Sequence, residues 1–151
     1  LDNLNIIPGQ SIGDIKLGMT KTQAENAIKS HADLFAKIEY DSNDKIHFIE
    51  IGYGEADRYR CLYRDIDLFN TKVTELVEIL DQVSPYDRND SELGYTYNFP
   101  EMGLSLWRPV ILTEEDLQQD WFKELSPDLQ EDEMKHLYFE AVAVYKPGEY
   151  Y

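Results

Sequence analysis

The sequence is short of almost everything that catalysis or cofactor binding draws on. It has one cysteine, Cys61, so no disulfide can close within the chain and no zinc site can be built on cysteine pairs. Cys61 reads as a small, partly buried apolar residue. The three histidines, His31, His47 and His136, fall in different segments, and none stands four residues from another, which excludes the two-histidine helical metal motif. No Ser/His/Asp or Cys/His pattern of recognisable spacing is present. The stretch Pro8-Gly9-Gln10-Ser11-Ile12-Gly13 is not a phosphate-cradling loop, because no Gly-Lys-Ser/Thr follows. Apolar runs are a few residues long, as at Ile6-Ile7 and Phe48-Ile49, whereas a membrane helix needs about 20. Residues 1–10 hold neither a basic n-region nor an apolar h-region, so no signal peptide is expected. With the lone cysteine, this makes the cytoplasm the expected location. No cofactor and no metal ion are expected.

Basic residues are scarce too, with 14 Lys and Arg against 30 Asp and Glu and a net charge of -16. Phosphate backbones and anionic membrane surfaces both attract Lys and Arg, so neither nucleic acid nor a membrane is an expected partner. A basic protein would be drawn in quickly; alternatively, the charge only keeps the chain dispersed. What the sequence does have is aromatic mass, 13% of residues including 11 Tyr, too much for a disordered acidic chain. Its 151 residues make one domain that can bury a core without staples.

Apolar spacing and turn chemistry give the elements. Ile12, Ile15 and Leu17 mark a short extended segment. Thr20 with Gln23 forms a capping box for a helix over residues 21–30, with Ala24, Ala27 and Ile28 inward. A hairpin follows, residues 37–40 and 45–51 around Ser42-Asn43-Asp44. Ile46 and Phe48 are expected on one face, and His47, Ile49 and Ile51 on the other. A second strand pair begins near Tyr59. Val73, Leu76, Val77, Leu80 and Val83 make one helical stripe, with Thr71 as the expected N-cap and Ser84-Pro85 as the stop. A second hairpin spans 95–99 and 104–107. Thr113 with Asp116 starts a helix whose face is Leu117, Trp121 and Leu125, and Ser126-Pro127 restarts one. A closing strand runs over 137–145.

The two helix starts match at a constant offset of 51 residues: Asp14-Ile15 with Asp65-Ile66, Leu17 with Leu68, Thr20-Lys21 with Thr71-Lys72, Ile28 with Ile79. Each is followed by a hairpin. The expected architecture is therefore α+β, an antiparallel sheet with helices packed on one face. It would be built from two strand–helix–hairpin units, residues 12–53 and 63–108, within a single domain of residues 1–151.

Residues 113–135 interrupt the last hairpin. They carry Glu114, Glu115, Asp116, Asp120, Glu124, Asp128, Glu131, Asp132 and Glu133, opposed only by Lys123 and Lys135. Such a run does not supply the two differently placed carboxylates of acid–base catalysis. It reads either as a patch for a basic partner or as an acidic cap on the sheet. Trp121 and Phe122 are expected to face the core, with an anchoring role at an interface as the alternative. The segment Asp41-Ser42-Asn43-Asp44-Lys45 begins like a calcium loop but lacks its Gly and terminal Glu. Tyr53, Tyr59 and Tyr63 beside Arg58, Arg60 and Arg64 form either an interface patch or the outward side of a sheet.

The stretch from Pro8 to Thr20, reading PGQSIGDIKLGMT, resembles the opening phrase of small bacterial immunity-type proteins of polymorphic toxin systems. The phrases from Phe99 to Arg108 and from Tyr138 to Tyr145 fit the same resemblance. Gly18-Met19-Thr20 before a helix is similar to the repeat start in beta-lactamase-inhibitory-protein-like folds. Both resemblances imply inhibition by binding and supply no catalytic residues. The reading is a non-catalytic protein-binding domain whose partner is a basic toxin domain. The alternatives are an enzyme with His47, Glu50, Asp65 and Glu101 converging in a pocket, and a self-assembling structural protein.

Overall fold

A computed structural model describes residues 2–30, 34 and 36–149; His31 lies outside them. The chain forms strands β1 (Asp2–Ile7), β2 (Ser11–Ile12) and β3 (Ile15–Lys16), helix α1 (Lys21–Ser30), and the hairpin β4 (Ala36–Tyr40) and β5 (Ile46–Gly52). Then come β6 (Tyr59–Tyr63), β7 (Ile66–Asp67), α2 (Val73–Val83), and the hairpin β8 (Thr96–Phe99) and β9 (Leu104–Trp107). Two short helices, α3 (Asp120–Lys123) and α4 (Pro127–Met134), precede the last strand, β10 (Ala141–Tyr145). The architecture is α+β.

The strands divide into two sheets. One is mixed, in the order β3-β2-β1-β6-β7, with β1 and β6 parallel. The other is wholly antiparallel, in the order β4-β5-β10-β9-β8. The sequence pattern suggests one sheet because it marks hairpins, which pair locally; the β1–β6 pairing joins segments far apart in the chain and leaves no local signature. β1 itself escapes the pattern, although its buried Leu4 and Ile6 alternate with exposed residues. Both sheets and both long helices feed one apolar core, with Ile6, Ile12, Ile49, Leu76, Leu80, Phe99, Val142 and Val144 among its residues. β10, the middle strand of its sheet, is buried along its whole length.

The expected strand at 12–17 is instead a tight hairpin. Ser11 pairs with Lys16 and Ile12 with Ile15. Fifty-one residues on, Leu62 pairs with Asp67 and Tyr63 with Ile66. The residue opening each turn is left-handed, Gly13 at φ 58 and Arg64 at φ 54, so the sequence offset is also an offset of hydrogen-bonded register. The helix starts differ. Thr20 makes the expected capping box: its Oγ1 accepts from Gln23 N at 3.3 Å, and Gln23 Oε1 accepts from Thr20 N at 3.0 Å. Thr71 does not cap α2. Its hydroxyl donates to Asp67 O at 2.7 Å, and the N-cap is Lys72. The α2 stripe buries Val73, Leu76 and Leu80, while Val83 is exposed.

In the β4–β5 hairpin the register slips between Glu39 and Tyr40, which pair with Phe48 and Ile46. His47 is the extra residue of this bulge. Ile46 therefore turns into the main core and Phe48 to the opposite face, which corrects the expectation that they share one. Asp41 closes the turn, accepting from Asn43 N at 2.8 Å and Lys45 N at 3.1 Å. These two bonds, that to Lys45 foremost, hold its pKa below the ordinary value. The aspartate that resembled a calcium ligand is thus committed to turn geometry.

Candidate functional site

The segment between β9 and β10 is built on a buried arginine. Arg108, 3% exposed, follows β9 directly. Its Nε donates to Gly94 O at 2.9 Å, and its Nη1 donates to Leu112 O at 3.1 Å and His136 O at 2.8 Å. One guanidinium thus ties both ends of the insert to the β8 approach. The planar fork suits three carbonyl oxygens in different directions. Burial pulls the Arg108 pKa below its ordinary value, though an arginine stays charged.

Between these anchors the chain makes three helical pieces rather than the two helices expected, because the first breaks in two. A 3-10 turn over Glu114–Gln118 carries a full capping box, with Thr113 Oγ1 accepting from Asp116 N and Asp116 Oδ2 accepting from Thr113 N at 2.8 Å. α3 follows, and Ser126 then caps α4 with Pro127 in its first turn, as expected. The Gln130 side chain donates to Phe122 O at 3.2 Å and Leu125 O at 3.3 Å, closing the α3 end. The break at Gln119 rotates the helical face. Phe122 is buried, Leu117 and Leu125 are half-buried, and Trp121 is 47% exposed. The expectation that Trp121 faces the core is overturned. Its ring stands edge-on to Phe122 at 5.9 Å, fixed from below and open above.

Seven of the nine acids, Glu114, Glu115, Asp120, Glu124, Asp128, Glu131 and Asp132, are exposed; Asp116 and Glu133 are half-buried. Glu114 reaches Lys72 at 2.9 Å, a cation outside the insert, and raises the lysine's pKa by that bond and by its charge. Asp132 reaches Lys135 at 3.2 Å. Asp116 serves its cap. Glu115, Asp120, Glu124, Asp128, Glu131 and Glu133 enter no ion pair among the described residues. Leu129 and Met134 are exposed beside them. The insert thus presents mostly negative charge around a few large apolar side chains.

No family model matches the chain. Neither a curated protein nor a solved structure matches it significantly. The site is therefore read from its own geometry.

The residues named for an enzyme do not converge. His47 lines a hollow with Asp41 and Lys45, while Glu50 lines another on the outer sheet face. Asp65 and Glu101 are exposed and line neither. Cys61 is buried, and burial, then Asp67 and Glu55, push its thiol up to about 12, so it supplies no thiolate at neutral pH. His136 Nδ1 stands 3.8 Å from Glu140 Oε1. Among the described residues no three His, Cys, Asp or Glu side chains are grouped to hold a metal ion. Among them, too, no helix is long and apolar enough to cross a membrane. Of the tyrosine patch, Tyr63 is core, with Arg64 over its ring at 5.1 Å, and Tyr53 is exposed.

Proposed function

We propose that this chain is a protein-binding domain of the immunity type, which neutralises a basic toxin domain by occluding it with the acidic insert. The observation that carries the reading is Trp121, exposed and braced on Phe122 in an insert where six carboxylates enter no ion pair among the described residues. Aromatic anchors inside a charged rim are the usual energetic centre of a protein interface. The rim carboxylates set the encounter rate and its salt dependence. A basic active site, such as one that grips phosphates, is the complementary surface. The resemblance of the 8–20 stretch to immunity-type proteins supports the same reading.

The test is affinity capture from the source organism with the tagged chain, at low and at high salt, followed by co-expression with whatever is captured. One basic protein is expected, toxic alone, harmless when co-expressed, and lost at high salt. Reversing Glu115, Asp120 and Glu124 to lysine slows its capture, and Trp121→Ala weakens it by roughly tenfold or more, the scale of an interface hot spot. A captured protein indifferent to all four substitutions, or no capture at either salt, refutes the reading.

A further inference from the structure

The antiparallel sheet has an outer face that the core does not use. Pairing places Lys37 against Glu50, Glu50 against Ala143, and Ala143 against Ser105, in one row across four strands. One step along, Ala141 lies between Gly52 and Trp107. The centre of the face is thus floored by small residues. Glu50 rises on one side, and Ser105 and Trp107 on the other. Strands two apart in a sheet are separated by roughly 10 Å. That leaves a trough of about 380 Å³, wide enough for a flat group to lie between the walls.

Its walls carry two carboxylates, Glu39 and Glu50, against one cation, Lys37. Lys37 lies at the rim, its Nζ 3.4 Å from Glu39 and 5.9 Å from the centre of the Phe48 ring. Its field reaches Glu50, yet Glu50 enters no ion pair among the described residues. Trp107 is 42% exposed on the opposite wall. A half-buried carboxylate facing an indole across an alanine floor complements a planar cation. Arginine meets both demands, donating to the carboxylate in plane and stacking on the ring. The Ser105 hydroxyl is a further acceptor on the trough wall.

We infer that this trough is a receiving site for an arginine side chain on a loop of a protein partner, separate from the acidic insert. It does not depend on the insert's role, because its residues lie on the sheet face.

The probe is acetyl-Gly-Arg-Gly-amide titrated into the isotopically labelled chain, with the citrulline peptide, equal in shape but uncharged, as control. Amide resonances of Glu50, Ser105 and Ala143 and the Trp107 indole resonance are expected to shift saturably with the arginine peptide, with Trp121 unmoved. Affinity for the citrulline peptide falls roughly tenfold, the loss of one charge-assisted bond. Glu50→Gln produces the same fall without altering the rest of the spectrum, and Trp107→Leu produces it independently. An equal response to both peptides, a response centred on the insert, or no shift at all overturns the inference.

Discussion

Two side chains concentrate the energetics. Arg108 is buried without a carboxylate among its hydrogen-bond partners, so its charge is balanced by carbonyl dipoles. Bonds that involve a charged group are worth about 1.5–3 kcal/mol each. Replacing Arg108 with methionine keeps the volume but strands three carbonyls. A loss of about 3 kcal/mol is expected in denaturant unfolding, with amide exchange accelerating first in residues 112–136. Uniform acceleration, or a loss below about 1 kcal/mol, would mean that the arginine does not hold the insert. Glu50 contributes in the opposite sense. Burial raises its pKa, with Lys37 pulling it down and Glu39 adding to the rise. The protonated form is thus favoured by the fold. That contribution is complete below the ordinary carboxylate range and is lost as pH rises through the raised value. Glu50→Gln is therefore more stable than the parent near pH 7 and not near pH 3; the same difference at both pH values would contradict this.

At the scale of elements, local chemistry was legible and its continuation was not. Thr20–Gln23, Thr113–Asp116 and Ser126–Pro127 all mark real helix starts, because a cap is a contact between residues three apart. Thr20→Ala is expected to cost about 1 kcal/mol, the usual value of a cap, measured by chemical denaturation. A cost under a few tenths would show that α1 is held by packing alone. Thr71 has the same sequence setting but meets Asp67 O instead, and nothing nearby in the sequence signals the difference. Trp121 was misassigned because its i, i+4 spacing assumes an unbroken helix, and the chain breaks at Gln119. The trough on the sheet face was illegible for another reason. It depends on which strands become neighbours, and the bulge at His47 decides on which side Phe48 and Glu50 emerge.

For the whole molecule, the three phrases singled out in the sequence meet at one point. Gly9 N donates to Gly103 O at 3.1 Å, and Tyr145 N donates to the same oxygen at 3.0 Å. Gly103 is left-handed at φ 72, and a Cβ there would collide with Tyr145 O and the Gly9 backbone. Besides the shared core, the mixed sheet is thereby fastened to the antiparallel one through glycine backbones. The order of the antiparallel sheet has a consequence in time. Its middle strand, β10, is made after the other nine strands of the described residues, while the strands on either side, β5 and β9, come earlier. Until residues 141–145 are made, two finished hairpins wait with bare inner edges, the state in which strands pair with the wrong neighbour. The antiparallel sheet closes only once those residues are in place.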